Sequence, residues 1–420
     1  MQTGPERRRG EVSVPETLEG IRVLDLSRVL AGPWCAQCLG DLGAEVIKVE
    51  RPGSGDDTRH WGPPFLQKEP GSGPGESAYF QSANRGKQSI TVNLADPDGQ
   101  RIVRELATRS DILIENYRVG GLARYGLDYD SLRGLNPRLV YCSITGFGQT
   151  GPARARPGYD FMIQAEGGIM SLTGEADDRP GGGPTKAGIA VSDLFAGMYA
   201  VQAVLAALLE RERSGEGQYI DLALLDSTVA SLSMMAVSSL ITGSSPPRLG
   251  NAHPHVVPYR LYPTSDRPMV VAVGNNAQFG RLVAAIGLPD LATDPRFATN
   301  RDRLDHRDAL DRLIEGQMRT HPFSHWQAAL QAAKIPFAPV NSVLDALNLE
   351  QTRARGMRID LPHVDGSTVP GPGNPIRLSR TPVRYRGAAP VLGGDTDSVL
   401  RDVLGRTPEE VERLRAAGSV

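Results

Sequence analysis

Asp193, in the run Gly188-Ile189-Ala190-Val191-Ser192-Asp193, opens the most apolar helical stretch of this 420-residue chain. Leu194, Phe195, Met198, Val201, Val204, Leu205 and Leu208 follow at helical spacing, so a helix is predicted over 191–212. An acidic residue in a first turn ordinarily complements the positive end of the helix dipole. The same field keeps a carboxylate ionised, and an ionised carboxylate is a nucleophile that can carry a covalent intermediate. Tyr159 and Asp160 precede it across a Gly-rich segment, where ordinary loop residues are also common.

Three cations recur near predicted strand ends: Arg51, Lys87 in Asn84-Arg85-Gly86-Lys87, and Arg124 shortly after Asn116-Tyr117. Singly each reads as a solvated charge. Together they follow the carboxyl ends of adjacent strands, where open α/β sheets bind ligands. Arg and Lys there suit an anionic, phosphate-bearing ligand.

Other motifs carry less. Gly146-Phe147-Gly148-Gln149-Thr150-Gly151 matches a dinucleotide fingerprint, but Pro152 and Pro157 stand where the required helix would begin, so the run reads as a pocket-shaping loop. His253 and His255 form an HxH without a neighbouring carboxylate or cysteine, and no metal site is expected. Cys35 and Cys38 form a CxxC within a predicted helix and read as small packing residues. Cys142 is the third and last cysteine, too few for a disulfide scaffold, so a reducing, cytoplasmic setting is expected. Zinc-protease, serine-hydrolase and P-loop patterns are absent.

The elements that must hold these residues alternate. Strands are predicted at 21–26, 45–50, 89–94, 111–115, 139–144 and 217–224, with helices at 33–42, 96–107, 191–212 and 226–241 between or after them. That alternation predicts an α/β fold with an open parallel sheet covered on both faces. A Gly/Pro/Ser-rich loop spans 52–75. Composition shifts after Gly243, and a separate unit is predicted from Tyr259 to Lys334. The net charge of −2 excludes a global attraction to nucleic acid or anionic lipid. No apolar run is read as reaching the roughly 18–20 residues that span a bilayer. The first 17 residues are polar and read as a flexible leader.

Taken in order, LEGIRVLDLSRVLAGP from Leu18, GAEVIKVERPGSGD from Gly43, NRGK from Asn84, ENYRVGGLARYGLDYDSL from Glu115, NPRLVYCSITGFGQTGP from Asn136, PGYDFMIQAEGG from Pro157 and GIAVSDLFAGMYA from Gly188 resemble the class III CoA transferases. The family includes formyl-CoA transferase, carnitine-CoA enzymes and α-methylacyl-CoA racemase, and the resemblance runs from Leu18 to about Leu404. It implies a Rossmann-like large domain at 18–225 and 336–420 and a linker helix with a smaller α+β domain at 226–335. It also implies an interlocked, ring-like homodimer with no permanently bound cofactor and acyl-CoA as substrate.

The resemblance places the nucleophile on Asp193, with Tyr159 positioning the acyl group. It places CoA contacts on Leu30, Ala31, Arg51, Asn84, Arg85, Gly86, Lys87, Asn116, Tyr117, Arg118, Arg124, Pro157, Gly158 and Asp160. Racemase members carry histidine where this chain has Tyr159, which counts against α-carbon chemistry needing an acid and a base on opposite faces. Where formyl-CoA transferase has a glycine-rich loop, this chain reads His253-Pro254-His255-Val256; with GNNAQF from Gly274, that segment resembles succinyl-CoA:glutarate and related transferases. His253 and His255 are therefore candidate holders of a distal substrate carboxylate. The implied reaction moves CoA from an acyl-CoA, such as succinyl-CoA, to a carboxylic, and by this resemblance dicarboxylic, acid through an aspartyl thioester. The alternatives are an acyl-CoA racemase or isomerase and a CoA-binding regulatory protein.

Overall fold

The computed structural model describes residues 16–66 and 75–420, so the predicted leader lies outside the described residues except for Glu16 and Thr17. The described residues form two units, 16–66 with 75–168, 188–236 and 351–420, and 169–187 with 237–350.

The larger unit is built on six parallel strands, β1 (Arg22–Asp25), β2 (Glu45–Glu50), β3 (Gln88–Thr91), β4 (Ile112–Glu115), β5 (Val140–Thr145) and β6 (Tyr219–Ala223), in the order β3-β2-β1-β4-β5-β6. Successive side chains on a strand point to opposite faces. Val23, Ile112 and Ile114 accordingly enter one core and Leu24 and Leu113 the other. Both faces are therefore apolar, which is why these strands read as continuous apolar runs and not as alternating ones. One face carries the helices Ala31–Asp41 and Val191–Ser214, and the other carries Pro97–Thr108, Thr396–Asp402 and Pro408–Ala416. The Pro97 helix starts where its sequence demands: Asp96 accepts from the N–H of Asp98 and Gly99 at 2.9 and 3.3 Å, and Pro97 sits in the first turn.

The long helix Val191–Ser214 is, by length and composition, apolar enough to cross a bilayer, which corrects the expectation of no such stretch. Its small residues are used for packing within the larger unit. A Cβ added to Gly197 would lie 2.9 Å from the Ala31 carbonyl and 3.1 Å from Trp34. Near its end, buried Arg211 pairs with Asp111 at 3.0 Å.

The smaller unit has an antiparallel sheet, β7 (Tyr259–Tyr262), β8 (Met269–Ala272) and β9 (Phe337–Pro339), in that order, with its own core around Phe279, Phe297, Ile314 and Trp326. The observed division differs from the expected one in three places. Residues 336–350 belong to the smaller unit because β9 pairs with β8; residues 226–236 belong to the larger unit; and 169–187 join the smaller one. The single helix predicted over 226–241 is two, Leu224–Ser231 and Met234–Thr242, broken where Ser233 takes a φ of 50°.

Polar residues at the strand ends are tied together beneath the surface. Buried Lys48 bonds the Ser27 carbonyl at 2.8 Å and pairs with Asp56 at 3.0 Å. Lys87 reaches Asp25 and the Asn84 side chain, both at 2.8 Å, and the Pro33 carbonyl at 3.0 Å. Arg85 grips Asp41 with two guanidinium nitrogens and bonds the Pro372 carbonyl at 3.0 Å. Asp41 also accepts from Asn374 at 2.9 Å, so this pair joins the first helix to the C-terminal segment.

Removing one partner of a buried ion pair costs about 3–5 kcal/mol, because the other charge stays buried. Arg85→Ala should therefore lower the stability of the larger unit by that order in urea unfolding. Arg85→Met combined with Asp41→Asn should recover part of the loss; a double variant no better than the single one would count against this account.

Candidate active site

A cleft of about 190 Å³ in the larger unit collects the side chains that the sequence singles out. Leu30, Ala31, Asn116, Tyr117, Arg118, Pro157, Gly158, Tyr159, Asp160 and Asp193 all line it. Arg51 lies in a second cleft of about 350 Å³, with Tyr125 and Asn93, and Arg28, Asp57 and Tyr117 line both. The two form an elongated groove over the carboxyl ends of β1, β2 and β4.

Asp193 is held by its backbone. Asp160 Oδ1 accepts from Ser192 N at 2.8 Å and from Asp193 N at 3.3 Å, and Asp160 Oδ2 accepts from Gln164 at 2.7 Å. Ala190 supplies no side-chain cap to the long helix, so Asp160 satisfies its first N–H groups from another helix. Buried Thr228 donates to the Ser192 hydroxyl at 2.9 Å and pins the same turn from a second side. Burial, then the Asp160 charge, push the Asp193 carboxyl up to about 7. The expectation of a carboxylate kept ionised by the helix terminus is thus corrected: burial first, and the Asp160 charge second, raise the group.

Tyr159 is 64% exposed and opens the short helix Asp160–Glu166. It stands in the cleft with Asp193 as anticipated. Tyr79 was not anticipated. Its ring lies edge-on to Trp61, a cleft residue, at 5.3 Å. Burial first, then the charges of Asp193 and Asp160, push its hydroxyl up to about 12. Nothing in the spacing marked it, because its link to the cleft runs through the Trp61 ring.

The other candidates divide by what their side chains already do. Asn116 exchanges two bonds with the Arg28 backbone, accepting from its N–H at 2.9 Å and donating to its carbonyl at 2.6 Å, and so shapes the turn leading to Leu30 and Ala31. Val29 in that turn has a φ of 71°, a strained value for a β-branched residue, and its N–H points at the Asp56 carboxylate.

The Asn84–Lys87 turn is bound up with the protein itself. Lys87 precedes β3 instead of following a strand, and Asn84, Arg85 and Lys87 are buried in bonds to the protein itself. Burial pulls Lys87 down to about 8 despite Asp25. Gly86, at a φ of 68°, turns the chain between them. None of these four lines the Asp193 cleft or the Arg51 cleft.

Arg124 is exposed and lies 4.5 Å from the Tyr125 ring, beside the Arg51 cleft. His253 and His255 lie in the smaller unit, where the His253 ring accepts from the His255 N–H at 3.1 Å. No group of metal-ligating side chains occurs among the described residues. Cys35, Cys38 and Cys142 are buried and unpaired, and burial pushes the Cys38 thiol up to about 12, in keeping with packing residues. The Gly146–Gly151 run leads into a loop, and the next helix starts only at Asp160.

An open parallel sheet with a groove at its strand ends and a carboxylate at the head of its longest helix defines an α/β enzyme architecture. Residues 18–396 match CoA-transferase family III, and the chain belongs to that family. It is an enzyme of this class. It is 47% identical over 396 residues to a succinate–glutarate CoA-transferase of Agrobacterium fabrum, covering 94% of this chain and 96% of that one. It is 41% identical over 362 residues to an acetyl-CoA:oxalate CoA-transferase of Acetobacter aceti, covering 86% and 89%. The crystal structure of a CAIB/BAIF family protein from Brucella suis, 45% identical, superposes with a TM-score of 0.83 over 93% of this chain and 100% of that one.

The raised Asp193 carboxyl has a signed consequence. Between the usual 3.8 and about 7, the native state holds a proton at this site that the unfolded state has lost. Stability then falls as pH rises through that window. Asp193→Asn should remove this component. In urea titrations wild type should lose stability relative to Asp193→Asn from pH 4 to 7, then run parallel to it. Parallel curves throughout would show that the carboxyl is not shifted.

Proposed function

We propose that this enzyme moves CoA from an acyl-CoA, with succinyl-CoA as the leading donor, to a dicarboxylic acid through a thioester on Asp193. The observation that carries the reading is Asp193 itself, a half-buried carboxyl in a cleft that adjoins the one holding Arg51. A long substrate with an anionic nucleotide at one end and a reacting thioester at the other fits that arrangement. The names of the relatives support the substrate class.

In the first step an Asp193 oxygen attacks the thioester carbonyl, the C–S bond breaks, and an acyl-aspartyl anhydride and CoA thiolate form. The thiolate then attacks the Asp193 carbonyl, the anhydride C–O bond breaks, and the donor acid leaves as its carboxylate. The acceptor carboxylate repeats the two steps in reverse order. Charge collects on carbonyl oxygens at each addition, so nearby N–H donors lower the barrier. The helix beginning at Ala31 has no side-chain cap, and Leu30 and Ala31 line the cleft, which makes its first turn the natural donor. Tyr159 flanks the acyl group. Water must be excluded while Asp193 carries the thioester.

Attack requires the ionised carboxyl, so kcat/KM for the donor should rise with pH through about 7. Asp160→Asn keeps an acceptor oxygen for the helix while removing the charge, and should move that rise to lower pH.

We also place the protein as a cytoplasmic homodimer of interlocked chains. Unpaired buried cysteines support a reducing compartment, and Leu240 and Ile241, 85% and 78% exposed, support an apolar face that a second chain covers.

Asp193→Asn and Asp193→Ala should abolish CoA exchange while CoA still binds. Hydroxylamine or borohydride added during turnover should modify position 193, read by peptide mass spectrometry. An unmodified position 193, or turnover by either variant, overturns the mechanism. Light scattering should give twice the chain mass.

A further inference from the structure

A second substrate carboxylate calls for a cation within reach of Asp193, and the cleft itself supplies several. Its cations are Arg28, Arg118, Arg154 and Arg156. Arg28 is paired with Asp57 at 3.1 Å. Arg156 grips Glu166 with both terminal nitrogens and lies 4.5 Å from the Phe147 ring. Arg118 is already placed toward CoA by the family resemblance. Arg154 is exposed, has no side-chain ion pair among the described residues, and has no role in the reading above.

Its backbone is better fixed than its exposure suggests. The loop that carries it is closed at its base, where Gly146 and Gly158 cross so tightly that a Cβ on either would lie 2.5 or 2.3 Å from the other's Cα. Arg156 N donates to the Ala153 carbonyl at 2.9 Å, forming a turn around Arg154, and the Arg156–Glu166 pair anchors its far side. The cleft already holds Asp57, Asp160 and Asp193. Arg28 already offsets Asp57, but an acid entering to react at Asp193 with a second carboxylate would still meet the Asp160 charge, and a cation without an internal partner is the group that offsets it.

We propose that Arg154 is a specificity-determining residue: its guanidinium holds the non-reacting carboxylate of a dicarboxylic acid, and of the matching acyl-CoA, while the other end reacts at Asp193. The proposal rests on the CoA-transfer reading and deepens it.

The test compares glutarate with its monoamide as acceptors, using acetyl-CoA as a donor that has no free carboxylate on its acyl group. Wild type should prefer the diacid. A charge-assisted bond of this kind corresponds to a loss of roughly 10–100-fold in kcat/KM for the diacid in Arg154→Gln. The diacid/monoamide ratio should collapse toward one, and Arg154→Lys should restore part of it. An unchanged ratio, or equal losses for both acceptors, overturns the assignment of Arg154. Failure of wild type to exchange CoA with any acid would instead overturn the underlying reading, so the two failures are separable.

Discussion

The site depends on one carboxylate that does not react. Asp160 spans the gap between two helices and accepts from the first two exposed N–H groups of the long one. A helix terminus buried without such an acceptor would leave donors unsatisfied, at about 1–3 kcal/mol each. The same oxygen places a negative charge beside Asp193, which adds to burial in raising that carboxyl. One side chain thus holds the backbone of Asp193 and adds to the burial that raises its carboxyl.

Beneath the groove, charges are arranged for a different purpose. Burial alone would push the Asp25 carboxyl up, but Lys87 and Lys48 more than offset it and hold it below the usual carboxylate range. Glu50 is likewise held down by Arg59 and Lys48 against burial. These pairs are shut off from solvent and tie the turn after β1, the loop after β2 and the turn before β3 to one another. Buried ion pairs are weak contributors to net stability, but a broken one is costly, so such a set fixes loop geometry. The turn at Val29 shows the result: a strained residue is retained because Asn116 and Asp56 bond the chain at and beside it.

Much of the larger unit was legible in the sequence because two-faced burial leaves unbroken apolar runs. β2 was read at its observed limits, and the long helix was read to within two residues. Asp193, Tyr159 and the flanking turn residues were found through motif order, and they do meet in one cleft. The internal partners of the charged residues were not legible. A basic turn such as Asn84–Lys87 looks the same in sequence whether its charges face a ligand or a buried aspartate, and Asp25 and Asp41 are 62 and 44 residues away. Asp160 was singled out as a ligand contact, while its carboxylate serves the helix 32 residues on. Tyr79 carried no signal at all. Long-range partners decide the role of a charged residue, and spacing does not reveal them.

The crossing of Gly146 and Gly158 bears on how this scaffold can change. Two backbones touching without side chains act as a clasp, and neither position tolerates even a methyl group without displacing the other strand of the loop. Residues between them add their own ties, Gln149 to Asp221 and Ser143 and Arg156 to Glu166, while the clasp itself is made by backbone alone. Diversification aimed at new acceptor acids is therefore best confined to positions 149–155, leaving both glycines and the long helix untouched.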